Sequence, residues 1–191
     1  MDIIDRAILV LKQGGIIGFP TDTVYGIGCD ASKKQSISKI YELKNRTPSK
    51  PLILFIKDKT ELNKYVEEIS DVGERLIDKF WPGALTIIFK SKFNRVVAGP
   101  LTCRMDTVAI RIPNYEPILT ILRNYAAPLA TTSANLEETA APKSDLELNI
   151  TPDLVIPGKC GSGIESTIVD ISEDKFAILR EGEIKYQELA Y

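Results

Sequence analysis

The chain alternates short apolar runs with helix-periodic segments, and this alternation constrains the fold more than any other feature. Apolar runs occupy residues 16–19, 52–56, 84–89 and 107–112, followed by shorter ones at 128–131, 154–156, 167–171 and 176–179. Between them apolar residues recur at helical spacing. Asp2 caps a first set of Ile4, Ala7, Ile8 and Leu11, and Gly14-Gly15 ends it. Further helical segments are expected at about 35–44, 60–66, 70–80 and 116–125. Residues 90–106 read as irregular, with a turn at Gly99-Pro100. Residues 137–150 read as a polar loop, expected to be the most mobile part and a candidate lid. Interleaved strands and helices imply one α/β domain over 1–191, with a twisted mixed sheet flanked by helices. At 191 residues the chain makes one well-packed domain or at most two small ones.

The chain contains no histidine. That removes Ser–His–Asp triads, Cys–His dyads, HExxH metalloprotease sites and imidazole proton shuttles. Chemistry must run on Lys, Arg, carboxylates, hydroxyls, backbone amides or a bound cation. Cys29, Cys103 and Cys160 are far apart and odd in number, so neither a disulfide framework nor a structural zinc site is implied. They read as packing residues. The net charge of −2 gives no global basic field of the kind that announces nucleic acid. Charge is uneven, however. Residues 1–52 hold eight Lys/Arg against five acids, and 136–155 hold one against five, which leaves room for a local cationic site. Asp2, Asp5 and Arg6 interrupt any signal-peptide core, and no apolar run approaches the roughly 20 residues of a membrane span. The expected setting is cytoplasmic and reducing, with no membrane partner.

A few stretches gather the side chains that suit such chemistry. At residues 16–31 (IIGFPTDTVYGIGCDA) a strand runs into Pro20 and then into Thr21, Asp22, Thr23 and Tyr25. Open α/β sheets place ligands at such strand ends, and the same residue types also serve as caps and turns. Gly26 and Gly28 read as a tight return or a close backbone approach. Lys44, Arg46 and Lys50 set three cations at a helix end and in the following loop. They suit phosphate or carboxylate, or they simply complement the helix C-terminus. Thr131, Ser133 and Asn135 follow the run at 128–131. In 107–112, Val108, Ile110 and Ile112 share one face while Thr107, Ala109 and Arg111 share the other. A strand-borne Arg111 needs a carboxylate or an anionic ligand. The glycine-rich 158–163, leading to Ser166, reads as an anion cradle of backbone amides, and Arg180 ends the last run. Neither a Walker A motif nor GxGxxG is present.

Taken in order, FPTDTVYGIG, Lys44-x-Arg46 with KPL, WPGALT, VAIRIP, TTSAN, GIESTIVD and LREG resemble the YrdC-like family. These motifs run from Ile16 to Gly182, nearly the whole chain. The resemblance implies a twisted α/β sheet around a concave cationic cavity, in the family's short single-domain form. It implies formation of threonylcarbamoyl-AMP and pyrophosphate from L-threonine, bicarbonate and ATP. A downstream tRNA threonylcarbamoyl transferase then uses the adenylate, and direct contact with tRNA is carried as a further expectation. Residue by residue, the resemblance puts Thr23, Arg111, Thr131 and Ser166 around threonine, with Arg111 at its carboxylate. It puts Lys44, Arg46 and Lys50 at the phosphates, Lys44 and Arg46 being catalytic. Thr107, Ser133, Asn135 and Arg180 complete the ATP site. Mg²⁺ is expected to arrive with ATP rather than on dedicated protein ligands. Two positions depart from the family: Phe55 stands where long members carry histidine, which bears on the threonine side, and Ala141 stands in place of a serine.

The implied chemistry suits a histidine-free chain. Carbamate formation from an amine and bicarbonate asks for proximity, and attack of the carbamate on the α-phosphate asks for charge neutralisation. Two other readings stay open. One is a non-catalytic module binding tRNA or double-stranded RNA, against which stand the charge of −2 and the absence of an aromatic stacking pattern. The other is a related carbamoyl-adenylating enzyme, whose usual zinc-finger-like cysteines are missing.

Overall fold

Asp2 starts the first helix as expected: its carboxylate accepts from the Asp5 amide at 2.8 Å, and α1 runs over Ile3–Lys12. The computed structural model describes residues 1–47, 50–92, 103–104, 106–136, 138–173 and 176–189. The turn expected at Gly99-Pro100 lies outside them. After α1 come β1 (Ile17–Phe19), β2 (Gly26–Asp30), α2 (Lys34–Lys44) and β3 (Ile53–Phe55). Then follow a 3₁₀ helix (Lys59–Lys64), α3 (Asp71–Phe80), β4 (Leu85–Lys90), β5 (Cys103–Arg104) and β6 (Thr107–Arg111). The chain continues through α4 (Glu116–Tyr125), β7 (Leu129–Ser133), a 3₁₀ turn (Asp145–Glu147) and β8 (Leu154–Val155). It closes with β9 (Thr167–Asp170), β10 (Ala177–Arg180) and the short α5 (Tyr186–Leu189).

The strands form one mixed sheet in the order β10-β9-β4-β6-β3-β7-β2-β1-β8, with β5 joined to the start of β6. Parallel pairs β3–β6, β4–β9 and β1–β8 alternate with antiparallel ones such as β2–β7 and β4–β6. Leu54, Ile87, Phe89, Val108, Ile110 and Val169 are buried in the hydrophobic core. Their neighbours one residue along, Ile53, Ile88, Lys90, Thr107, Ala109, Ile168 and Asp170, line an open cavity instead. The strand period of two thus assigns one face to packing and the other to the cavity. The alternation expected for residues 107–112 holds in this way.

Two differences from expectation have clear causes. Residues 26–30 are a full strand, although glycine at two of five positions argues against one. A Cβ at Gly28 would sit 3.0 Å from Thr131 Cγ2 and 3.2 Å from the Phe19 ring, so the glycines keep β1, β2 and β7 close. Strand β7 continues past the expected end at Thr131 through Thr132 and Ser133, because these pair with Ile27 and Gly26 of β2. No helix among the described residues is long and apolar enough to cross a membrane.

Candidate functional site

The large cavity over the open sheet face measures about 1440 Å³. Arg46, Thr107, Thr131, Ser133 and Arg180, five of the residues that the family resemblance assigns to substrates, stand on its wall. Its described wall carries three cations, Arg46, Lys90 and Arg180, against six acids, Glu67, Glu68, Asp106, Glu165, Asp170 and Glu173. Positive charge sits at separate points, and Lys90 there already pairs with Glu67 at 3.0 Å.

A second cavity, about 40 Å³, adjoins the first. The two share Ile53, Thr131, Thr132, Ser133, Glu165 and Arg180. Thr23, Phe55, Arg111 and Ser166 line only the smaller one. Arg111 is 3% exposed, and its donors are aimed by the fold. Nε donates to Gly83 O at 2.9 Å, Nη1 to Thr23 Oγ1 at 2.9 Å and Nη2 to Asp22 Oδ1 at 2.6 Å. Burial pulls the guanidinium below the usual arginine range, and Asp22 opposes the shift. The cation also lies 5.6 Å from the Phe55 ring, which itself packs against Phe19. Phe55 therefore contributes an aromatic floor with no hydrogen-bonding group.

The hydroxyls here have a defined direction. Thr21 Oγ1 donates to Val24 O at 2.8 Å, so its 3.0 Å contact with Thr23 Oγ1 is donated by Thr23. Thr131 Oγ1 donates to Ile53 O at 2.8 Å. The hydroxyl protons of Thr23 and Thr131 are thus committed within the protein, and Thr23 Oγ1 already accepts from Arg111, so these hydroxyls can meet a ligand only as acceptors, while the arginines are donors. A ligand with a carboxylate at one end and a donating amine or hydroxyl at the other matches this wall. Ser166 Oγ meets Thr86 Oγ1 at 2.9 Å and accepts from Arg180 Nη2 at 3.2 Å.

Three predicted site residues do not line either cavity: the buried Lys44, the half-buried Asn135 and the exposed Lys50. Helix α2 ends in a Schellman-type turn, with Asn45 at φ 50° and the Arg46 amide bonded to Tyr41 O at 2.9 Å. This turn sends Lys44 inward, where it is 1% exposed. Its amine donates to Ser133 O and, at 3.2 Å, to Asn135 Oδ1. Asn135 Oδ1 also accepts from Ser133 Oγ at 2.6 Å, and its Nδ2 donates to Thr139 O at 2.6 Å. Lys44, Ser133 and Asn135 form one unit of which Ser133 meets the cavity. Arg46 points the other way, onto the wall, with donors on Lys50 O at 3.2 Å and Pro51 O at 3.1 Å. For Lys50 the main-chain oxygen serves this turn, accepting also from Tyr41 Oη at 2.9 Å.

The glycine loop is not an anion cradle. The amides of Gly161, Ser162 and Gly163 donate to Thr21 O, Asp22 O and Thr23 O at 2.9, 2.9 and 2.8 Å, and Cys160 donates to Lys143 O at 2.8 Å. These amides are spent on the neighbouring loop, which they hold in place from behind. A Cβ on Gly161 would overlap the Asp22 carbonyl, so only glycine allows this approach. Cys29 is fully buried, and burial with Asp30 beside it pushes its thiol up to about 12. Burial also raises the Cys160 thiol, so neither is an activated nucleophile.

This arrangement has relatives. The Sua5/YciO/YrdC family model, described as telomere recombination, matches residues 9–182. The chain belongs to the Sua5/YciO/YrdC family. A Bacillus subtilis family member, threonylcarbamoyl-AMP synthase, is 34% identical over 192 residues, covering 97% of this chain and 55% of that protein. A Methanocaldococcus jannaschii relative named for the same activity is 40% identical over 185 residues, covering 94% of this chain and 86% of that one. Among solved structures, P. abyssi Sua5 complexed with L-threonine superposes with a TM-score of 0.90 at 32% identity, over 97% of this chain and 56% of that one. The chain thus spans about half the length of the Bacillus and Pyrococcus relatives. Within this family fold, sequence reasoning passed over two site residues, Asp22 and Glu165. Both stood inside recognised motifs. Asp22 is marked by a buried arginine needing a partner, whereas Glu165 emerges only from the shape of the cavities.

Proposed function

We propose that this chain forms L-threonylcarbamoyl-AMP and pyrophosphate from L-threonine, bicarbonate and ATP. The observation that carries this reading is the pair of adjoining cavities. The smaller offers Arg111 to a carboxylate and hydroxyl lone pairs to donors, and the larger has room for a nucleotide. At about 40 Å³ the smaller takes the carboxylate end of an amino acid, leaving its amine toward the shared wall of Thr131, Thr132, Ser133, Glu165 and Arg180. Carbamate formed there lies beside a nucleotide's α-phosphate, where proximity supplies much of the barrier reduction. Arg46 and Arg180 meet the phosphates, and Ser133, held by Lys44 and Asn135, orients the nucleotide. Names of family relatives and the threonine complex of P. abyssi Sua5 support the same substrate.

Mg²⁺ brought with ATP would supply neutralisation of the charge that develops on the phosphates. The large-cavity wall fits a hard cation, offering hydroxyl and carboxylate oxygens such as Thr107 and Asp106. The adenylate passes to a tRNA threonylcarbamoyl transferase in the cytoplasm. Mass spectrometry of the products formed with threonine, serine or glycine tests the reading. Threonylcarbamoyl-AMP as the dominant adenylate supports it. No adenylate from any amine, together with salt-sensitive RNA binding, would favour the RNA-binding alternative.

A further inference from the structure

Carbamate formation needs a free amine, yet an α-amino group is largely an ammonium ion at neutral pH. A proton must leave before nitrogen attacks the bicarbonate carbon. Among the described residues, the small cavity's wall carries three ionisable side chains: Arg111, Arg180 and Glu165. Both arginines already hold their protons, and the chain contains no histidine. Glu165 is therefore the one side chain on that wall able to accept a proton. It also lines the large cavity, so it stands at the junction where amine, bicarbonate and α-phosphate have to meet.

Its setting suits the task. Glu165 Oε1 lies 2.9 Å from Arg180 Nη1, and the side chain remains 41% exposed, so a captured proton can pass to water. The other edge of the Arg180 guanidinium is held by Ser166, through its carbonyl at 3.0 Å and its hydroxyl at 3.2 Å. The Glu165 carbonyl accepts from the Glu183 amide at 2.9 Å, which fixes the backbone beneath it. Arg180 from β10 pairs with it, Arg111 from β6 stands on the same cavity wall with Asp22 as its partner, and Glu183 follows β10.

We propose that Glu165 is the general base that takes the proton from the ammonium group of the bound amino acid. This rests on the synthase reading above. The ammonium N–H bond breaks and its proton goes to a Glu165 oxygen, then to solvent. The freed lone pair forms the N–C bond to bicarbonate. Hydroxide leaves that carbon and takes the second nitrogen proton as water. Ammonium and bicarbonate thus yield carbamate, water and one released proton.

Glu165→Gln keeps the side-chain shape and a hydrogen bond to Arg180 but cannot act as a base. The test is threonine- and bicarbonate-dependent pyrophosphate release across a pH series, with ATP saturating. At about pH 7 the variant should lose roughly a hundredfold in kcat, within the range for general-base catalysis. The ratio of wild type to variant should shrink as pH rises and the amine loses its proton unaided, and Glu165→Asp should recover part of the rate. The KM for ATP should change little. A kcat within about twofold of wild type at pH 7, or a deficit constant across pH, would overturn the proposal. An active wild type with either result leaves the synthase reading standing. An inactive wild type removes that reading and the proposal together. An unchanged melting temperature of the variant separates lost chemistry from lost fold.

Discussion

The two cavities hold their charged groups in opposite ways. In the smaller, Arg111 is nearly sealed from solvent and aimed by Gly83, Thr23 and Asp22 before any ligand arrives. In the larger, Arg46 is half-buried and Lys90, paired with Glu67, is 60% exposed. A small carboxylate thus meets groups already in place, whereas a polyphosphate has to order groups that water also reaches. Ordering costs about 0.5–1.5 kcal/mol per long side chain, so the smaller cavity spares its ligand a cost that the larger one imposes.

The sharpest way to break this contrast is Arg111→Ala. Losing a charge-assisted bond of about 1.5–3 kcal/mol should raise the threonine KM roughly 10- to 100-fold. The ATP KM should stay near wild type, and equal effects on both would remove the assignment. Denaturant unfolding should show a loss of about 3–5 kcal/mol, because Asp22 is left without its partner. Gly161→Ala comes next. The methyl group overlaps the Asp22 carbonyl and loosens the loop that carries Thr23. A stability loss of about 1–3 kcal/mol is expected, with the threonine KM rising more than that for ATP.

Lys44 and Arg46 divide the larger cavity's side of the comparison. Lys44→Ala removes a buried donor to Ser133 and Asn135, so it should cost about 1–3 kcal/mol of stability as well as turnover. Arg46→Ala should reduce turnover about tenfold with little change in melting temperature. Unchanged turnover in both variants would remove the nucleotide site from this wall. The smallest effect concerns Cys29 on β2. With its thiol pushed up to about 12, it should resist iodoacetamide at about pH 8 until the protein is unfolded. Rapid labelling of the folded protein would show that the strands beside the small cavity open readily.

Much of this was legible in the chain because strand periodicity is local. The alternation in 107–112 placed Thr107 and Ala109 over one cavity and Arg111 over the other. Strand β2 was hidden by its glycines, which serve contacts to Phe19 and Thr131 that no local pattern reveals. The 158–163 loop looked like an anion cradle because glycine-rich amides do bind anions. Here those amides meet the carbonyls of residues 21–23, more than 130 positions away in the chain. Lys44 was read by its charge, but the turn at Asn45 sends it inward and Arg46 outward. Glu165 was obscured by its exposure: it is an ordinary surface acid until two cavities are seen to share it.

The most direct test of the paired-cavity account is pyrophosphate release from ATP, measured with and without bicarbonate and with and without L-threonine. The account predicts release only when all three substrates are present. Release that ignores threonine, or none under any condition, would contradict it.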